Sequence, residues 1–138
     1  VEAVQAGPRG AISGRAVGGN LTTLCSMQGT PWAPSFEQGI LLLEDVGEPY
    51  YRIERMLVQL LHAGALEGVR AVVLGDFFNC PRKDVAHSIE QIVAEHLSPL
   101  GIPLFTGAPV GHGERNMPWR VGAAALIENN VLTIEARG

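Results

Sequence analysis

Residues 39–45 read GILLLED: four aliphatic side chains, Ile40 to Leu43, run without interruption into two adjacent carboxylates, Glu44 and Asp45. A strand with one solvated face alternates apolar and polar residues. An unbroken apolar run instead fits a strand covered on both faces, usually a parallel strand of an α/β sheet. The same signature returns in RAVVLGDF (70–77). Between the two lies EPYYRIERMLVQLLHAG (48–64), in which Tyr50, Ile53, Met56, Leu57, Leu60 and Leu61 gather on one side when residues are placed at about 100° intervals. That spacing predicts a helix, with Pro49 at its start and Gly64 at its end.

Further from the opening run, DVAHSIEQIVAEHL (84–97) repeats the helical pattern, with Val85, Ile89, Ile92, Val93 and Leu97 on its apolar stripe. IPLFTGAPVGHGERNMPW (102–119) reads as a strand followed by a glycine- and proline-rich loop. AAALIENNVLTIE (123–135) alternates on either side of Asn129 and Asn130, as a closing antiparallel hairpin does. On the amino-terminal side, AVQAGPRGAISGRAVGGN (3–20) predicts a loop or incoming linker and then a short strand near Ile12 to Val17, broken by Gly18 and Gly19. NLTTLCSMQG (20–29) predicts a short helix capped by Asn20 and ending near Gly29, with Leu21, Leu24 and Met27 on one side. The two prolines of TPWAPSFEQG (30–39) exclude regular helix there. The elements add up to a single small α/β domain over 1–138, with a mixed sheet, two main amphipathic helices and a C-terminal hairpin.

With 138 residues, 46% of them hydrophobic, the chain can bury a real core. Its net charge of -4 offers no basic stripe for a phosphate backbone, so nucleic acid is not an expected partner. No apolar stretch approaches the roughly 20 residues that span a bilayer, and no membrane association is expected. The two cysteines, Cys25 and Cys80, form no C-x-x-C pair or zinc-like spacing, and a reducing, cytoplasmic setting fits them best. A chain that begins at Val1 suggests processing or a piece of a longer protein.

Side chains of neighbouring strand residues point to opposite faces, so Glu44 and Asp45 cannot serve one spot while the strand persists. Open α/β sheets place ligand crevices at the carboxyl ends of their parallel strands, which makes one acid a candidate for function and the other for structure. The residues alone also allow that both merely mark the strand's exit, with Asp45 or Glu48 bonding loop amides. Of the four histidines, His62 and His87 fall on the polar sides of their helices. His96 projects into an apolar stripe, as a packed histidine with one bonded nitrogen does. His112 stands between Gly111 and Gly113 in the loop after a strand, where an imidazole can take and return a proton at neutral pH; a purely structural loop histidine remains open.

A carboxylate bonded to one nitrogen of that ring fixes its tautomer and leaves the other nitrogen free to deprotonate a nucleophile. Glu44 with His112 would be two thirds of a catalytic triad. The remaining third is not found: Ser13, Ser26, Ser35, Ser88 and Ser98 lie in no strand-to-helix elbow, and neither cysteine is better placed. No H-x-x-x-H or H-E-x-x-H pair supports a metal site, and GRAVGGN lacks the lysine and length that would make a phosphate loop specific. Arg115, Asn116 and Trp119 follow His112 closely and stay unassigned.

Four stretches in order, GGNLTTLCSMQGTPW, GILLLEDVGEPYYRIERMLVQLLHAGAL, AVVLGDF and IPLFTGAPVGHGERNMPWRVGAAALI, resemble the carboxyl-terminal half of the LD-carboxypeptidases, the serine peptidases of murein recycling. The resemblance runs from about Gly18 to about Leu132. It implies a two-domain enzyme whose amino-terminal domain carries the nucleophilic serine, while a carboxyl-terminal domain of the swivelling β/β/α kind supplies a glutamate, matched by Glu44, and a histidine, matched by His112. It further implies hydrolysis of the amide between meso-diaminopimelate and the terminal D-alanine of a murein tetrapeptide, no cofactor, and a cytoplasmic homodimer. Two alternatives stand beside it: a microcin-immunity-type serine hydrolase of the same fold, and a non-catalytic binding or dimerisation module.

Overall fold

The computed structural model of the chain describes residues 1–4, 10–82 and 86–136. Its elements in order are β1 (Glu2–Ala3), β2 (Ile12–Asn20), α1 (Leu21–Ser26), β3 (Gly39–Val46), α2 (Tyr50–His62), β4 (Ala71–Phe78), α3 (Ile89–Leu97), a 3-10 turn (Ser98–Leu100), β5 (Leu104–Thr106), β6 (Ala124–Glu128) and β7 (Val131–Ile134). The strands form one mixed sheet in the order β1-β5-β4-β3-β2-β6-β7. β2, β3, β4 and β5 are mutually parallel, and β1, β6 and β7 join antiparallel. The mixed α/β architecture expected from the hydrophobic pattern is therefore observed.

The unbroken apolar run of β3 is explained by two cores. Leu41 and Leu43 join Val72, Leu74 and Leu104 against the apolar stripes of α1, α2 and α3. Ile40 and Leu42 join Ala16, Ala71, Val73 and Phe105 on the other face, under Val110, Ala125 and Ile127. Ile40 to Leu43 are each at most 1% exposed, and burying such side chains contributes about 1.5–3 kcal/mol apiece. The hairpin closes through Asn129 and Asn130, both at positive φ, the geometry of a two-residue turn whose twist matches the strands.

Two sequence expectations are corrected. Gly18 and Gly19 do not break β2, which runs on to Asn20 with Gly18 paired to Leu42 and Asn20 to Glu44. The reason for the glycine is proximity: a Cβ at Gly18, where φ is +118°, would sit 2.0 Å from the Leu42 carbonyl oxygen. Gly18→Ala is accordingly expected to lower unfolding free energy by at least about 2 kcal/mol in denaturant titration; a variant as stable as the parent would contradict this packing. The second correction concerns the helix expected over 84–97. It begins at Ile89, where Ser88 accepts from the Gln91 amide and the Gln91 side chain returns to the Ser88 amide in a capping box, so His87 precedes the helix as an exposed bend residue. Val85 lies outside the described residues, as do 5–9 of the expected linker. Two smaller differences are that α1 ends at Ser26 rather than near Gly29, and that the amino-terminal stretch read as loop contributes the short β1.

Candidate active site

The two acids of the opening run part company at the end of β3. Asp45, 2% exposed, turns to the helix side, where one carboxylate oxygen accepts from the Thr22 amide at 3.0 Å and the Thr22 hydroxyl at 2.7 Å. The other accepts from the Asn20 side-chain amide at 3.2 Å and the Val46 amide at 2.8 Å. Asn20 in turn accepts from the Thr23 amide as the cap of α1. Asp45 thus ties the start of α1 to the exit of β3, the structural duty that sequence reasoning left open between Asp45 and Glu48. Glu48 instead pairs with Arg52 one helical turn on.

Glu44 turns the other way. Its Oε2 lies 2.8 Å from Nδ1 of His112, a residue 68 positions later, with the Glu44 side chain 11% exposed and the imidazole 50% exposed. The other ring nitrogen, Nε2, makes no hydrogen bond among the described residues. Glycines make the approach possible. A Cβ at Gly111, where φ is +124°, would come within 3.2 Å of Glu44 Oε2, and one at Gly113 would fall 2.1 Å from an Asp76 carboxylate oxygen. The loop is held from below by the Asp76 amide donating to the Val110 carbonyl, and across its base by the Met117 amide donating to the Pro109 carbonyl.

The pair opens onto a cleft of about 370 Å³ at the carboxyl ends of β2 and β3, lined by Gly19, Glu44, His112, Asn116 and Trp119 among others. Asn116 and Trp119 are the cleft residues that sequence reasoning left unassigned; their only signal was closeness to His112 in the chain. The lining includes no serine, threonine or cysteine. Ser26, Ser35 and Ser88 have local backbone partners, at Thr23, Glu37 and Gln91. Burial pushes the Cys25 thiol up to about 11, with the Asp45 charge adding to the effect, and burial also raises Cys80, so neither is a ready thiolate at neutral pH.

The other histidines lie elsewhere. His62 is exposed at the end of α2. His96 is half-buried and joins α3 to α2 through Nε2, 2.9 Å from Glu54 Oε1, which accounts for it as a packed histidine with one bonded nitrogen. Among the described residues no three histidine, cysteine or acidic side chains converge as a metal site, and no helix is long and apolar enough to cross a membrane.

An imidazole steadied by a buried carboxylate, on the wall of a cleft at the rim of a parallel sheet, is the arrangement nucleophilic hydrolases use for acid–base work. Residues 13–127 match the family described as LD-carboxypeptidase C-terminal domain, and the chain belongs to that family. It is 47% identical over 122 residues to a murein tetrapeptide carboxypeptidase of Pseudomonas aeruginosa, an alignment covering 88% of this chain and 40% of the relative. Among solved structures it resembles a muramoyltetrapeptide carboxypeptidase from Oxalobacter formigenes, with TM-score 0.77 and 37% identity over 91% of this chain and 45% of that one. It also resembles the microcin C7 self-immunity protein MccF, with TM-score 0.82 and 26% identity over 94% of this chain and 40% of that one. The chain spans less than half the length of these relatives.

Proposed function

We propose that this chain is the glutamate- and histidine-bearing domain of a two-domain serine LD-carboxypeptidase, which removes the terminal D-alanine of murein tetrapeptides by cleaving its amide to the L-centre of meso-diaminopimelate. The observation that carries the reading is the 2.8 Å contact between Glu44 and His112 at the cleft, in a chain of this family. Glu44 holds Nδ1 protonated, which leaves the Nε2 lone pair to act as base. Nε2 takes the proton of a serine hydroxyl supplied by the amino-terminal domain as that oxygen attacks the peptide carbonyl carbon. It then passes the proton to the departing D-alanine nitrogen as the C–N bond breaks, leaving an acyl-serine. Water repeats the cycle: Nε2 takes its proton, the hydroxide attacks the acyl carbon, and the proton returns to the serine oxygen as the tripeptide leaves. Glu44 stays ionised throughout and stabilises the imidazolium in between. Oxyanion donors come mainly from the other domain, no cofactor takes part, and the whole enzyme works as a cytoplasmic homodimer.

The TM-score of 0.82 to MccF favours a second reading, in which the same residues serve a microcin-immunity-type hydrolase. The 47% identity to the murein enzyme puts the first ahead. The deciding experiment offers the full-length protein a murein tetrapeptide and, separately, a peptidyl nucleotide. D-alanine release from the first is expected; cleavage of the nucleotide alone would favour the second reading, and turnover of neither would leave a binding module. The isolated 138-residue chain is expected to release no D-alanine, because the serine lies outside it. Turnover by that chain alone would overturn the division of labour.

A further inference from the structure

We propose that the hollow beside the His112 cleft recognises the zwitterionic amino-acid end of a substrate side chain, with Asp76 taking the ammonium and Arg115 the carboxylate. The inference rests on the functional reading above, whose murein peptide presents such an end at the D-centre of meso-diaminopimelate.

The first support is a β-bulge. Pairing of β3 with β4 steps from Leu43↔Leu74 to Asp45↔Phe77, so β4 carries one extra residue at Gly75 and Asp76. Leu74 and Phe77 both pack toward the helices, whereas strict alternation from Leu74 would have put Asp76 on that side and Phe77 on the other. The extra residue turns Asp76 to the face of His112, where its carboxylate lies against Gly113; re-aiming a side chain beside a site is what bulges do. A side chain at position 113 would overlap that carboxylate.

The second support is the charge left unused. Asp76 is half-buried and Arg115 exposed, and among the described residues neither makes an ion pair or a side-chain hydrogen bond. Both line a hollow of about 500 Å³ with Phe78, Asn79 and Glu114. Gly113 lines this hollow and the cleft that holds His112 alike, so the two adjoin. Unpaired charges of both signs in one hollow suit a ligand carrying both. A guanidinium fork matches a carboxylate, and a carboxylate accepts from an ammonium.

The test uses the full-length enzyme and three tetrapeptides, carrying at the third position meso-diaminopimelate, L-lysine, which lacks the carboxylate, or 2-aminopimelate, which lacks the amine. Arg115→Gln is expected to cut the kcat/KM preference for diaminopimelate over lysine by about tenfold or more, and Asp76→Asn the preference over aminopimelate by as much, with the losses falling on KM. A merely structural role would lower turnover of all three peptides in parallel and leave the ratios at their wild-type values. Unchanged ratios in both variants, or a wild type with no preference, would overturn the subsite while the carboxypeptidase reading stands. A wild type that releases D-alanine from none of the three overturns that reading, and the inference with it.

Discussion

Replacing His112 by alanine in the full-length protein is expected to lower D-alanine release by at least about a thousandfold, with folding intact. The size of the loss follows from the number of proton transfers that pass through one atom. In the proposed mechanism Nε2 takes a proton in acylation, returns it to the leaving amine, and does both again with water, and a methyl group does none of this. Folding should survive because the ring is half exposed, on a loop whose backbone is held by the Asp76 and Met117 amides rather than by the imidazole. Chromatography of released D-alanine and far-UV circular dichroism check the two halves. Wild-type turnover by the variant would remove His112 from the chemistry.

The second large effect separates the two adjacent acids. Glu44→Gln preserves shape but removes the charge that in the proposed mechanism stabilises an imidazolium, and its amide NH2 can donate to Nδ1 and so select the wrong tautomer. A loss of roughly a hundredfold to ten-thousandfold in kcat is expected, with little change in stability. Asp45→Asn should do the reverse. The Asp45 carboxylate accepts from two backbone amides, a hydroxyl and a side-chain amide, and an asparagine there turns a donor toward donors. Unfolding free energy should fall by about 2 kcal/mol or more, while turnover per folded molecule stays near wild type. Denaturant titrations alongside kcat/KM on both variants decide the matter. Equal kinetic losses would mean that the two carboxylates do not leave β3 on opposite faces.

Much of this site could be read from local pattern. GILLLED announced a doubly covered strand, alternation placed Glu44 and Asp45 on opposite faces, and glycines on both sides of His112 marked a loop of unusual backbone freedom. The errors have separate causes. Gly18 and Gly19 suggest a break because glycine weakens strands, yet Gly18 serves a close approach to Leu42 that is invisible until β2 and β3 are paired. The helix expected from 84 begins at Ile89 because a capping box between Ser88 and Gln91 sets its start. Asn116 and Trp119 reach the cleft through the path of their loop, which no periodicity encodes.

The sequence by itself determined the α/β class, the two amphipathic helices, the hairpin at Asn129 and Asn130, and which acid shares a face with which core residues, because each depends on a repeat of two or 3.6 residues within one segment. Only the tertiary structure decided that residue 44 meets residue 112, that Asp45 seats α1, and that a bulge turns Asp76 toward Gly113. Those relations join segments far apart in the chain, and their distances are set by how strands pair and loops pack rather than by the order of residues within any one of them.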